Sequence, residues 1–169
     1  MSQPTLFVFS RDPGATNVLI AVYEALSDAD ILRRCAAGIQ RFAAEVAQGV
    51  EPRFVICAKG QAVEMWRAVN SEVHDWKEIM PPHLEDKDVL DLLADHKASA
   101  VLTGTSDVDE RIDCELWRAA RKLGLRSHVF LDHCSYFERR FADAGGKKFF
   151  PDRLYVPDKI QVADPDTIY

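Results

Sequence analysis

The sequence predicts a three-layer α/β domain, with a mostly parallel sheet of five or six strands between two helical layers. Three observations predict it. Short, nearly all-apolar runs recur along the chain, segments with apolar residues at helical spacing separate them, and Gly, Pro or small polar residues stand at the junctions. Strands that alternate with helices of this length are joined as β-α-β units, which makes the sheet parallel and covers both its faces.

Taken in order, Thr5-Leu6-Phe7-Val8-Phe9-Ser10 reads as a strand buried on both faces. After the loop Ser10-Arg11-Asp12-Pro13-Gly14, the apolar residues Ala15, Val18, Leu19, Val22 and Ala25 keep helical spacing. Cys35, Ile39, Phe42 and Val46 repeat that spacing, and Gly49 is the expected C-terminal glycine. Arg53 to Ala58 is the next strand and Gly60 to Val69 a helix; Ser71 to Trp76 reads as a short strand. Pro81-Pro82 enforces an extended loop. Val89, Leu92, Leu93 and His96 mark a helix, and Ala98 to Thr103 a strand. Val108, Ile112, Leu116, Ala119 and Leu123 form the best amphipathic helix, ended by Gly124. Ser127 to Leu131 and Arg153 to Val156 complete the sheet, and the reading is a Rossmann-like domain spanning residues 1–169.

A chain of 169 residues can bury ~70% of its unfolded surface, so it needs no disulfide or metal staple to fold. Its 47% apolar and 28% charged residues are those of a globular protein. A net charge of −6 argues against a general nucleic-acid or anionic-membrane binder. No apolar run approaches the ~18–20 residues of a membrane span. Nor is there a basic start followed by an apolar stretch, so a cytoplasmic protein is expected. Cys35, Cys57, Cys114 and Cys134 sit among apolar neighbours without a C-x-x-C pair, which reads as reduced, buried thiols.

Ligands of open parallel sheets bind beyond the carboxyl ends of the strands, and that rule selects three loops. The first, Arg11 to Asn17, offers backbone N–H groups at a helix start with Arg11 beside them, a setting for a phosphate or carboxylate. The alternative is a plain turn capped by Asp12 or Thr16. The absence of G-x-G-x-x-G and of Gly-Lys-Ser/Thr disfavours dinucleotide binding and P-loop hydrolysis. The second loop, Thr103-Gly104-Thr105-Ser106-Asp107, suits oxyanion or sugar-hydroxyl contacts, or else Ser106 or Asp107 caps the next helix. The third runs from Leu131 through Asp132, His133, Cys134 and Tyr136 to Arg139, Arg140 and Phe141. His133 beside Asp132 can act as a general base or hold a phosphate. His128, Asp132, His133, Cys134 and Cys114 have no recognised ligand spacing, so no metal is expected. Residues 138–153 carry five basic and three acidic side chains, which reads either as a loop suited to an anionic substrate or as a solvated charged loop.

Three segments carry a family likeness: Leu102-Thr103-Gly104-Thr105-Ser106, then Leu131-Asp132-His133-x-x-Tyr136-x-Glu138-Arg139-Arg140-Phe141, then Pro151-Asp152-Arg153-Leu154-Tyr155-Val156. Together with Asp12-Pro13-Gly14-Ala15-x-Asn17, they resemble the N-terminal half of GT-B-type glycosyltransferase-like proteins of bacterial polysaccharide biosynthesis. The resemblance implies that this half holds the acceptor, while a second Rossmann-like domain, expected after Tyr169, holds a nucleotide-sugar donor. Transfer then requires both domains, with no bound cofactor or metal. It also implies His133 or Asp12 as the base that deprotonates an acceptor hydroxyl, with Asp132 orienting His133. Arg11, Gly14, Asn17, Gly104, Thr105, Tyr136 and Arg139 would line the cleft. Two other functions stay open: a stand-alone Rossmann-like module that binds a nucleotide or phosphorylated metabolite without catalysis, and half of a sugar-nucleotide epimerase. Association with further copies of the chain is open as well.

Overall fold

The computed structural model describes residues 3–47, 49–106, 111–132, 137–142, 146–156 and 167–168. Strand β1 (Thr5–Ser10) leads into α1 (Pro13–Ser27), followed by α2 (Ala29–Arg34), α3 (Ala37–Ala47) and β2 (Arg53–Ala58). Helix α4 (Gln61–Arg67), β3 (Val73–Asp75), the single turn α5 (Trp76–Ile79) and α6 (Asp86–Asp95) come next. The chain continues through β4 (Ala100–Thr103), α7 (Ile112–Lys122), β5 (Arg126–Phe130), α8 (Phe137–Arg140), β6 (Arg153–Tyr155) and β7 (Thr167–Ile168). The strands form one sheet in the order β3-β2-β1-β4-β5-β6-β7, parallel at every pairing. The first six strands follow the order of doubly wound sheets, with the reversal of direction between β1 and β4. This is the expected three-layer Rossmann-like α/β architecture.

Side-chain alternation explains why the strands are apolar throughout. Leu6 and Val8 of β1 face one layer, where Leu19 and Val22 of α1, Phe42 of α3 and Trp66 of α4 bury them. Phe7 and Phe9 face the other, against Val89 and Leu93 of α6 and Leu116 and Ala120 of α7. A third cluster joins Trp117, Val129, Leu131, Phe141 and Leu154 beneath the later strands.

The helix ends show local causes. Pro13 is the first residue of α1, where its missing N–H costs nothing and its fixed φ already suits a helix. Gly124, at φ 70°, ends α7 as expected. Its N–H bonds the Arg121 carbonyl while that of Leu125 reaches back to Ala120, a two-bond closure that satisfies two carbonyls of the last turn.

Several boundaries differ from the sequence expectations. Helix α2 was not expected: it buries no residue, so it has no apolar stripe, and its start depends on Asp28 Oδ1 accepting from Asp30 and Ile31 N–H. Cys35 belongs to its C-terminal cap rather than to α3. The short turn α5, capped by Asp75, and the two-residue β7 were too brief to leave a periodic signal. Val108 lies outside the described residues. Cys57 and Cys114 are buried and Cys35 half-buried, all three with free thiols; burial pushes the Cys57 and Cys114 thiols up to about 12. Cys134 lies outside the described residues.

His128 of β5 is wholly buried. Its ring meets Phe42 edge-on at 5.1 Å, and its Nδ1 lies 3.2 Å from the Tyr155 hydroxyl. Burial, aided by Arg153 and Arg126 and opposed by Glu45, lowers its pKa from 6.5 to about 4. A depressed histidine contributes stability that is complete above its unfolded value and is lost as pH falls towards the folded one. Urea unfolding between pH 7 and pH 4.5 should therefore show the wild type losing ground steadily to His128→Leu as the pH drops. A difference that does not vary with pH would contradict the buried, neutral imidazole.

Candidate functional site

The loops after β1, β4 and β5 converge at the carboxyl edge of the sheet, beside the reversal point. Behind the first loop, a hydrogen-bonded chain fixes α1 to the sheet. The Trp66 indole donates to Ser10 Oγ at 2.8 Å, and Thr16 Oγ1 lies 2.9 Å from Ser10 Oγ and 2.8 Å from the Asp12 carbonyl. Asp12 occupies the N-cap of α1 in extended conformation without a side-chain cap bond, so Thr16 grips the turn instead.

Two glycines allow this turn to be approached closely. A Cβ on Gly104, just past β4, would stand 2.3 Å from the Ala15 Cβ; one on Gly14 would stand 2.4 Å from Asp132 Oδ2. Any side chain at either position collides with its neighbour. The Asp132 carboxylate thus lies against the first turn of α1, where a negative charge meets the positive end of the helix. Arg140 holds it there, with Nη1 at 3.0 Å from Asp132 Oδ1 and a second bond to Thr105 Oγ1. Both charged side chains are only 10% exposed. Arg140 is delivered by α8, whose following residue Phe141 stacks on Trp117 at 5.7 Å. Trp117 in turn donates to Thr103 Oγ1 at 2.9 Å, which returns the contacts to the end of β4.

The structure brings together Gly14, Gly104, the buried Thr105 and Asp132, and Arg11 and Asp12 are half-buried on the β1 loop that precedes Gly14. Asn17 and Arg139 are solvent-exposed. The Arg139 carbonyl accepts from Arg111 Nη1 at 3.1 Å. His133 and Tyr136, like Asp107 and Cys134, lie outside the described residues. One reading is corrected. Ser106 does not cap α7, which begins at Ile112 with Arg111 in the cap position. In the α1 turn, where the sequence placed a phosphate or carboxylate ligand, the Asp132 carboxylate lies against Gly14.

Two residues escaped the sequence reading. Arg140 and Arg139 are adjacent, and only the helical rotation of α8 decides which one turns inward. Asp113 sits beside the apolar stripe of α7; its buried carboxylate accepts from the Ser106 N–H at 2.9 Å and the Cys114 N–H at 3.0 Å, fastening the β4 loop. Burial outweighs these bonds and pushes its pKa up to about 6. A charged residue within an otherwise apolar helix face was the available signal. Among the described residues, no cluster of three His, Cys, Asp or Glu side chains is placed to hold a metal ion. No described helix is long and apolar enough to cross a membrane.

In comparisons with known proteins, no family model matches the chain and no curated protein is significantly similar to it.

The close approach at Gly104 sets up a two-glycine test. Gly104→Ala should destabilise the domain by about 1–3 kcal/mol through overpacking against Ala15. Gly38→Ala, within α3, meets only Tyr155 at 3.9 Å and should stabilise by ~0.5–1 kcal/mol. Chemical denaturation of both variants checks the pair; a Gly104→Ala protein as stable as the wild type would mean that β4 and α1 do not touch as described.

Proposed function

We propose that this domain is the acceptor-side half of a GT-B-like glycosyltransferase acting in cell-surface polysaccharide biosynthesis. The observation that carries the reading is a convergence. Asp12-Pro13-Gly14, Thr103-Gly104-Thr105 and Asp132 with Arg140 are far apart in sequence, yet they pack together at the carboxyl edge beside the sheet reversal. These are the segments on which the family resemblance rests. The chemistry of the crevice favours a hydroxyl-rich ligand. The Asp12 carboxylate accepts from hydroxyls, and arginines donate to them or to acidic groups on the same sugar. A phosphate pressed into the α1 turn would instead meet the Asp132 carboxylate.

In this reading, the acceptor lies over the crevice and the nucleotide sugar is held by a second Rossmann-like domain on its far side. Asp12 or His133 takes the proton from the acceptor hydroxyl. The freed oxygen bonds to the anomeric carbon as the bond from that carbon to the nucleotide oxygen breaks, and the nucleoside diphosphate leaves with the electron pair. Asp132 serves as a positioning residue: it fixes Arg140 and the α1 turn rather than transferring the proton. The half-buried Arg11 and the exposed Arg139 meet acidic groups of the acceptor.

The native protein, assayed with nucleotide sugars and with oligosaccharides from its own cell surface, should release nucleoside diphosphate only when an acceptor is present. Asp12→Asn or His133→Gln should lower kcat by about 100-fold or more while changing KM little. Release that ignores the acceptor, or rates unchanged in both variants, would overturn the proposal.

A further inference from the structure

A second cleft, of about 400 Å³, opens at the carboxyl edge on the helical layer opposite α1. Three strand exits build it: Lys59 directly follows β2, Trp76 opens the turn after β3, and Arg111 precedes α7. Its inner surface is apolar, formed by Trp76, Met80, Leu84 and Ile112, with Pro81-Pro82 as a stiff wall. Phe9 meets Trp76 edge-on at 5.0 Å and fixes the indole in place. The polar groups are Lys59, Lys77, Arg111 and Glu115.

We propose that this cleft binds a nucleoside mono- or diphosphate. The lining sets three cations against one carboxylate, an excess of positive charge that complements a phosphate in a chain whose net charge is −6. The apolar inner surface matches a planar base, and the volume lies in the range of small-molecule sites. Glu115, held by Arg118 at 2.6 Å, presents an acceptor for ribose hydroxyls or a base N–H. Alternative ligands match only part of the lining. A free phosphate leaves the apolar surface unused, and a neutral apolar molecule makes no use of the cationic rim. The site is distinct from the Asp132 crevice and does not rest on the acceptor reading.

The test is calorimetric titration of the intact chain with AMP, GMP, CMP, UMP and UDP, alongside inorganic phosphate and the unphosphorylated nucleosides. At least one nucleotide should bind saturably with micromolar Kd, more tightly than phosphate or its own nucleoside. Lys77→Glu and Arg111→Glu should each raise that Kd about tenfold or more, and Leu84→Trp, which fills the cleft, should abolish binding. Lys77 is solvent-exposed, so its variant keeps the test valid should Arg111→Glu fail to fold. The proposal is overturned by the absence of saturation at millimolar nucleotide, by phosphate binding as tightly as any nucleotide, or by affinity unchanged in Lys77→Glu. Acceptor-dependent transfer is read in a separate assay, so either proposal can fail while the other stands.

Discussion

The carboxylate of Asp132, pressed against Gly14 and held by Arg140, is the contact on which the carboxyl edge of this sheet depends. It joins the end of β5 and the short helix α8 that follows it to the first turn of α1, which is remote in sequence. A charge pair this shielded is costly to desolvate and repays that cost only when further hydrogen bonds complete it. Thr105 supplies one to Arg140, and the α1 turn offers its positive end to Asp132. Glycine at position 14 follows from this arrangement, since any side chain there would displace the carboxylate. The four-residue α8 is too short to be stable alone; the stacking of Phe141 on Trp117 and the Trp117 bond to Thr103 hold it in place.

The same geometry divides the edge into two unlike environments. Next to α1, carboxylates, arginines and buried hydroxyls crowd together, a setting suited to ligands rich in hydroxyl groups. On the α7 side, Trp76, Met80 and Ile112 form an apolar surface rimmed by cations. The reversal of strand order between β1 and β4 produces the division, because it sends α1 and α7 to opposite faces of the sheet. A polar acceptor and a nucleotide could therefore be handled by the two sides of a single sheet edge.

Much of the fold was legible in the sequence because the strands are buried on both faces. Thr5 to Ser10 and Arg53 to Ala58 coincide with their predicted bounds, and Gly124 marks the end of α7. The misses have a common physical origin: α2, α5 and β7 are short or exposed, and such elements bury too little to impose a periodic pattern. At the site, the loops themselves were predictable from the rule for parallel sheets, whereas the contacts across them were not. Nothing in local sequence tells that Arg140 rather than Arg139 turns inward, or that Asp113 reaches back to the Ser106 N–H. The cleft beside Trp76 went unseen because its lining comes from three separate segments, none of which carries a motif.

Asp132 and Arg140 act as one unit at this edge. A double-mutant cycle of Asp132→Ala and Arg140→Ala, read by urea unfolding at neutral pH, measures that directly. The predicted result is a coupling energy of about 1–3 kcal/mol, with the double variant more stable than the summed single losses require. Single losses that simply add, within ~0.5 kcal/mol, would contradict the account, since they would mean that the edge is not assembled around this pair.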